Sequence, residues 1–305
     1  MARNTYEAWI PEEDSSEVIQ RVDQMSAVEA LASPESMSSN TKSIPRSAGV
    51  GVAVVDKGGA YSEDTSTNDD IVLTAKKLGK AIRIAEEDID DSLANILATK
   101  QKDWATSYAK LLDNATLAVS AAPGAGVPFA SVYYTLTQTD AALGYTANDN
   151  VTVAASGGVT YNNLSDTLGD VEGGDYFDLS RTVVIAHPSF RGVLRTIKDD
   201  QGQPVFVQGQ GGDRGTPDTL FDLPCRWSLG CRVSATATDA PTGKPVLIVA
   251  NADYLRLGRR SGPESIFIDG RDGLSALTDE SILKMRARRA FALSHPKAAA
   301  ILLGV

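Results

Sequence analysis

The stretch Ile71-Val-Leu-Thr-Ala-Lys-Lys-Leu-Gly-Lys-Ala-Ile-Arg-Ile-Ala-Glu-Glu-Asp-Ile-Asp-Asp-Ser92 joins two kinds of structure. Ile71, Val72 and Leu73, followed by Ile82 and Ile84, have the apolar and β-branched character of a strand. The carboxylates from Glu86 to Asp91 are of the kind that favours the positive end of a helix dipole. Beyond them, Ile89, Leu93, Ile96, Leu97, Trp104, Tyr108, Leu111, Leu112, Ala115 and Val119 keep to one helical face, with neither Gly nor Pro between them. Pro123-Gly124 closes the run. About 30 residues at 1.5 Å each predict a rod of roughly 45 Å, longer than an ordinary globular helix and suited to a scaffold.

Upstream, residues 48–85 read as a long hairpin. Val50, Val52, Val54 and Val55 form its first strand, Asp56-Lys-Gly-Gly-Ala60 and Ser62 to Asp70 its polar tip, and Ile71 onward the return. It carries too few large apolar residues for a core of its own, so it should project and find partners elsewhere. Residues 1–47 read as an extended arm. Asp14 and Glu17 have capping-box spacing, and Val18, Val22, Met25 and Val28 follow at helical intervals. Ser33 to Pro45 shows no periodicity and two prolines, and reads as a linker.

Downstream, residues 125–255 form an α+β block. Ser131-Val-Tyr-Tyr-Thr135 and Asn150-Val-Thr-Val-Ala154 look like strands, Asn163 to Val171 a helix, and Arg181 to Ala186 a buried strand. Pro188 to Lys198 is helical, Gln208 to Gly215 a glycine-rich loop, and Cys225 to Val233 and Pro245 to Ala250 are strands. Ser265 to Asp269 is another strand, and Gly270 to Thr278 a loop. Leu283, Met285, Ala287, Phe291 and Leu293 then alternate with Lys284, Arg286, Arg288 and Ala290, giving a strand with an apolar and a basic face. Arg289 falls on the apolar face, which calls for a bulge or a buried ionic partner.

Composition narrows the classes. The 305 residues carry a net charge of −10, 42% hydrophobic and 22% charged side chains, as in folded globular proteins. No run of 18 apolar residues offers a membrane span, and the N-terminus has no apolar core of a secretion signal. Cys225 and Cys231 lack the further ligands of a zinc site and read as free structural thiols. Gly209, Gly211 and Gly215 miss dinucleotide-loop spacing, Gly243-Lys244-Pro245 lacks the hydroxyl of a phosphate loop, and Gly273 to Leu277 lacks the closing glycine of a nucleophile elbow. His187 and His295 each precede a proline and read as structural boundaries. Glu86 to Asp91 lacks the glycine and distal Glu of a calcium loop. No catalytic, cofactor or metal role is assigned. Charge is uneven: residues 1–47 hold 4 basic and 8 acidic side chains, residues 256–297 hold 9 and 5. That asymmetry suggests an acidic arm or helix start on one copy meeting the basic terminal strand of another.

Four stretches in order resemble the major capsid proteins of tailed bacteriophages with the HK97 fold. Ile71 to Ser92 resembles the second strand of their extended loop entering the spine helix, and Val183 to Phe206 a strand, helix and Lys-Asp-x-x-Gly turn of the axial domain. Leu220-Phe-Asp-Leu-Pro-Cys-Arg-Trp-Ser228 is similar to a Leu-x-Gly-x-Pro-Val strand, with Asp222 at the glycine. Leu283 to Leu302 is similar to the closing strand and its Pro/Ala segment. The resemblance implies an α+β HK97-like capsid fold: N-arm at 1–47, E-loop hairpin at 48–85, P-domain spine helix at 86–124, A-domain at 125–255 and P-domain C-terminal strands at 256–305. It also implies hexamers and pentamers closing into an icosahedral shell around non-specifically packaged double-stranded DNA, built in the host cytoplasm.

Because only 47 residues precede the E-loop, a separate scaffolding protein is expected, alongside a portal and decoration proteins. By placement, Lys57, Tyr61, Glu63 and Asp64 on the hairpin, Glu86 and Glu87 at the helix start, and Arg259, Arg260, Arg286 and Arg288 on the terminal strands are candidate contacts between subunits. Some members join an E-loop lysine to a neighbour's asparagine. Residues 256–280 contain no Asn or Gln, so no such cross-link is expected from Lys57. An encapsulin-like shell around a cargo enzyme is the nearest alternative, then a tail-tube or surface-layer protein, then an enzyme.

Overall fold

A computed structural model describes residues 22–47, 49–63, 69–91, 95–198, 219–269 and 279–304. Two sheets and one long helix organise it. Strands β10 (Leu255–Ile268) and β11 (Glu280–Leu293), 14 residues each, pair antiparallel at the centre of a four-stranded sheet. The strand β4 (Lys76–Ala85) pairs with β11, and β1 (Ser33–Ser36) runs parallel to β10 at the other edge. The alternation expected of β11 holds: Leu283, Met285, Ala287, Phe291 and Leu293 are buried. Arg289 is buried with them at 3% exposure, beside irregular register in β10 between Arg259 and Glu264.

The segment 33–45 is therefore not a bare linker. It supplies β1 and most of β2 (Thr41–Arg46), which pairs with β3 (Asp69–Thr74), Ile44 opposite Ile71. Tertiary pairing overrides the absence of local pattern, and Pro34 and Pro45 are accommodated because both strands lie at sheet edges. The expected hairpin is corrected in the same way. Its return limb is split between β3 and β4, which belong to different sheets. The valine limb forms no strand, and Val50, Val52 and Val54 are 74%, 100% and 99% exposed. A turn does form at the expected tip, with the Gly59 amide on the Asp56 carbonyl at 2.8 Å and Gly58 at φ +85°. The arm helix expected from Asp14 to Val28 falls mostly outside the described residues. In the described part the expectation is corrected: residues 22–26 are not helical, Val22 and Met25 lie exposed, and α1 (Ala27–Leu31) starts only at the Ser26 cap.

The rod is shorter than expected and is not one helix. An acidic α2 (Glu86–Asp91) precedes α3 (Ile96–Leu117). Asn95 between them is non-helical at ψ 89° and caps α3 by accepting from the Ala98 amide at 3.0 Å. The 22 residues of α3 end at Leu117, where Ala118 and Ser120 bond the backbone of Ser234 instead of extending the helix. Tyr108, Leu112 and Ala115 pack with Ala287 and Phe291 of β11.

The second sheet has order β5-β12-β9-β6-β8-β7. Its members are β5 (Val151–Val153), β6 (Thr182–Ala186), β7 (Thr219–Leu220), β8 (Leu223–Trp227), β9 (Val246–Asn251) and β12 (Ala299–Leu303). Both faces are covered. Val183, Ile185, Ile248 and Ile301 join the core shared with α3, while Val184, Leu247, Val249 and Leu302 pack under α5 (Tyr161–Glu172) and α6 (Ser189–Thr196). Such strands read as continuous apolar runs. Because β12 lies between β5 and β9, the last strand belongs to this sheet and not with β10 and β11. Ser131 to Thr135 is not a strand: Ser131 accepts from the Tyr134 amide at 2.9 Å and starts α4 (Val132–Leu136), so a cap overrides β-propensity.

Candidate functional site

The arm is pinned to the rest of the chain by carboxylates. Asp113, in the middle of the apolar face of α3 and 1% exposed, accepts four hydrogen bonds. Ser26 Oγ (2.5 Å) and the Val28 amide (3.2 Å) reach Oδ1, while the Ala27 amide (2.9 Å) and Ser228 Oγ (2.5 Å) reach Oδ2. Burial pushes Asp113 above the usual carboxylate range even though each of these donors pulls it down. The adjacent Asn114 gives its amide to the carbonyls of Gly230 and Arg232 and accepts from Ser234 Oγ and the Thr238 amide. These two residues were missed in the sequence. Their signal was available as two polar residues placed between Leu112 and Ala115 on the helix's apolar side.

Glu29 supplies the next pin, pairing with Arg289 at 2.7 Å and accepting from Tyr108 Oη at 3.0 Å. This is the buried ionic partner that the β11 pattern called for. Glu35 binds Arg256 and Lys42, and Asp23 binds Lys102. Arg259 donates to the Glu29 carbonyl at 3.0 Å. The acid–base pairing expected between copies is thus made inside one subunit wherever the arm is described.

The remaining candidates fall on two surfaces. Lys57, Tyr61 and Glu63 stand on the loop at 49–63, exposed and without a hydrogen bond or ion pair among the described residues; Asp64 lies outside those residues. On the outward face of the four-stranded sheet, the β2–β3 ribbon packs over one end, with Met37, Leu73 and Ile44 against Ala290 and Ala292. Beyond it the register places Arg288 opposite Lys77, Arg286 opposite Gly79 and Lys284 opposite Ala81. Arg286 is paired with Glu264 at 2.5 Å, whereas Lys77, Lys284 and Arg288 have no ion pair among the described residues. Arg260 is half-buried near the bulge, and its Nη1 has no partner there. Glu86 is half-buried with its amide on the Asp279 carbonyl, and Glu87 is exposed on α2.

Neither histidine forms an active site. His187 Nδ1 lies 2.8 Å from Ser189 Oγ, but the Arg232 guanidinium donates to Nε2 where a hydrolase would place a carboxylate. Burial and then Arg232 hold His187 down to about 4, so it is a weak base. His295 stacks on Tyr176 at 3.7 Å, accepts from the Lys297 amide and is likewise held at about 4, by burial and then Arg46. Cys225 and Cys231 are free and buried. Among the described residues no three metal-ligating side chains cluster, and no helix is long and apolar enough to cross a membrane.

Residues 7–303 match the Phage capsid family. The chain belongs to that family. This capsid protein is similar in fold to a chain of Mycobacterium phage Bobi, with TM-score 0.76 and 17% identity over 97% of this chain and 96% of that one. A chain of Mycobacterium phage Ogopogo gives 0.75 at 16% identity, over 99% of each. The capsid of a native GTA particle gives 0.72 at 16% identity, over 97% and 95%. No curated protein matches the capsid protein. At these identities the likeness fixes the fold, which is HK97-like, and the family makes the protein a structural component of a capsid shell.

Proposed function

We propose that this capsid protein assembles with copies of itself into hexamers and pentamers that close into an icosahedral shell around double-stranded DNA. The observation that carries the proposal is a pair of unfinished surfaces on one subunit. Among the described residues, the loop at 49–63 exposes three valines with no strand partner, and Lys77, Lys284 and Arg288 of the sheet have no ion pair. Asp56, Glu63 and Asp64 give residues 56–64 three carboxylates against the single Lys57, with Asp69 already paired to Arg46. Laid across the basic half of a neighbour's sheet, the loop satisfies charge on both sides. Lys57, Tyr61, Glu63 and Asp64, with Arg286 and Arg288, are then contacts between copies, and Glu86, Glu87, Arg259 and Arg260 lie at their margins. A net charge of −10 suits a wall that grips packaged phosphate weakly. Scaffolding, portal and decoration proteins complete the proposal, with assembly in the host cytoplasm.

Electron microscopy of the purified protein, with nuclease-protection of enclosed nucleic acid, tests this reading. Closed shells or capsomers, with DNA protected in particles from infected cells, are expected. A stable monomer, or shells filled by a cargo protein, overturns it. Charge reversal at Lys284 and Arg288 should block assembly while leaving the unfolding transition in place, and Glu63→Lys in the same chain should partly restore it. Added salt should weaken assembly more than folding.

A further inference from the structure

The six-stranded sheet carries charge of opposite sign at its two ends. Where β9 begins and β12 finishes, a hollow of about 650 Å³ opens beside α6. Phe190, Val193 and Pro245 give it an apolar wall, and Arg232, Thr242 and Lys244 give it polar groups. Among the described residues no carboxylate lines it. Arg232 donates there to neutral acceptors, His187 Nε2 and the Gly243 carbonyl, and Lys244 has no ion pair. The six residues of β9 separate this end from the other by roughly 17 Å, at about 3.3 Å per step. At that far end stand Asp149, just ahead of β5, and Asp170 in the last turn of α5, with Asp166 one turn back. All three are exposed, and their carboxylates make no ion pair among the described residues. Partial burial, then Asp166 and Asp149, raise the Asp170 carboxyl above its ordinary range, so the three charges share one surface and repel one another.

We propose that the acidic surface of α5 on one copy seats at the Arg232–Lys244 hollow of the next copy, head to tail around each capsomer. This seam rests on the ring-forming reading proposed above, and it is separate from the loop laid across the basic sheet. The two patches cannot meet within one subunit, because the length of the sheet lies between them. Each copy therefore offers its hollow to one neighbour and its α5 surface to the other. A contact between two different surfaces, repeated about an axis, closes a ring. The charges match, three carboxylates against two cations, and each patch alone is a site of unrelieved repulsion. Wrong docking is rejected by the same charges, since two α5 surfaces repel and so do two hollows.

Charge reversal on each side of the seam tests it in the full-length protein. One variant carries Thr242→Glu and Lys244→Glu, the other Asp166→Lys and Asp170→Lys, all four at exposed positions. Each variant alone should unfold in urea at the parent's midpoint yet yield at least about tenfold fewer capsomers by analytical ultracentrifugation. Mixed in equal amounts, the two should alternate around even-numbered rings. Electron microscopy should then show six-membered capsomers without five-membered ones, and no closed shells. All four changes in one chain should restore both ring sizes and closed shells. Single variants that assemble like the parent, a mixture that recovers nothing or only pairs of copies, five-membered rings from the mixture, or a fourfold variant that stays unassembled would each overturn the seam. Where the parent forms shells, these outcomes remove the seam alone. A parent that forms no rings removes the shell reading with it.

Discussion

Arg289 of β11 and Glu29 of α1 lie 260 positions apart and meet at 2.7 Å, the arginine side chain only 4% exposed. Removing one partner of a buried pair strands the other charge in the core. Among the described residues, Arg289 would keep only the carbonyls of Ser261 and Arg288. Glu29→Ala is expected to destabilise the subunit by about 3 kcal/mol, and Glu29→Gln by less, because the amide still accepts. Urea unfolding monitored by tryptophan fluorescence measures both.

Gly230 touches the backbone of α3. A Cβ there would stand 2.6 Å from the Lys110 carbonyl oxygen and 2.8 Å from the Asn114 nitrogen, atoms that cannot step aside. The Gly230 carbonyl also takes the Asn114 side-chain amide at 3.0 Å. Gly230→Ala should cost about 1–3 kcal/mol, the range for overpacked sites. A variant as stable as the parent in the same urea experiment would show that the loop moves freely from the helix.

Acid should weaken the fold through His187 and His295. Burial holds both at about 4, below the ordinary 6.5, so the folded protein keeps them neutral while the unfolded chain takes up protons. Stability is therefore fully present above 6.5 and declines as pH falls from 6.5 toward 4. The slope is at most about 1.4 kcal/mol per pH unit for each histidine. Replacing His295 with Gln should remove up to half of the slope in that window. Glu35, Asp69 and Asp253, lowered by Lys42, Arg46 and Arg181 respectively, lose their contribution only at more acid pH.

Cys225 and Cys231 should resist thiol reagents in the native protein. Both are buried, and burial pushes the Cys231 thiol well above its usual value, so little thiolate forms. An aromatic disulfide reagent should titrate none in buffer and two per chain in denaturant. Rapid native reaction at either cysteine would contradict the packing around it.

What the sequence made legible follows from local physics. Strand β11 was readable because its pleat alternates over 14 residues, and its one exception, Arg289, pointed to an ionic partner that exists. The runs at Thr182–Ala186 and Val246–Asn251 were readable because a sheet covered on both faces tolerates no polar interruption. The helix read at Asn163–Val171 is present at 161–172, extended at its start by a Thr160–Asn163 capping box that the reading did not include. Elsewhere distant contacts decide. Ser33–Ser36 becomes a strand only because β10 offers an edge, and Val50 to Val55 fails to become one because the single chain offers none. Asn95 breaks the rod by one side-chain bond that helical periodicity does not register. The arm's carboxylates were seen as a charge excess, but their partners, Arg256 for Glu35 and Arg289 for Glu29, became visible only once β1 lies on β10 and α1 is placed near β11.

The place of β12 between β5 and β9 bears on how the subunit is made. A ribosome delivers the chain from the N-terminus onward, so β5 emerges about 150 residues before β12, the strand it pairs with. The arm strand β1 waits longer still for β10. Until residues 299–303 are out, this sheet has an open gap between β5 and β9. The emergence of residues 299–303 thus sets when this sheet can close, however early its other strands are made.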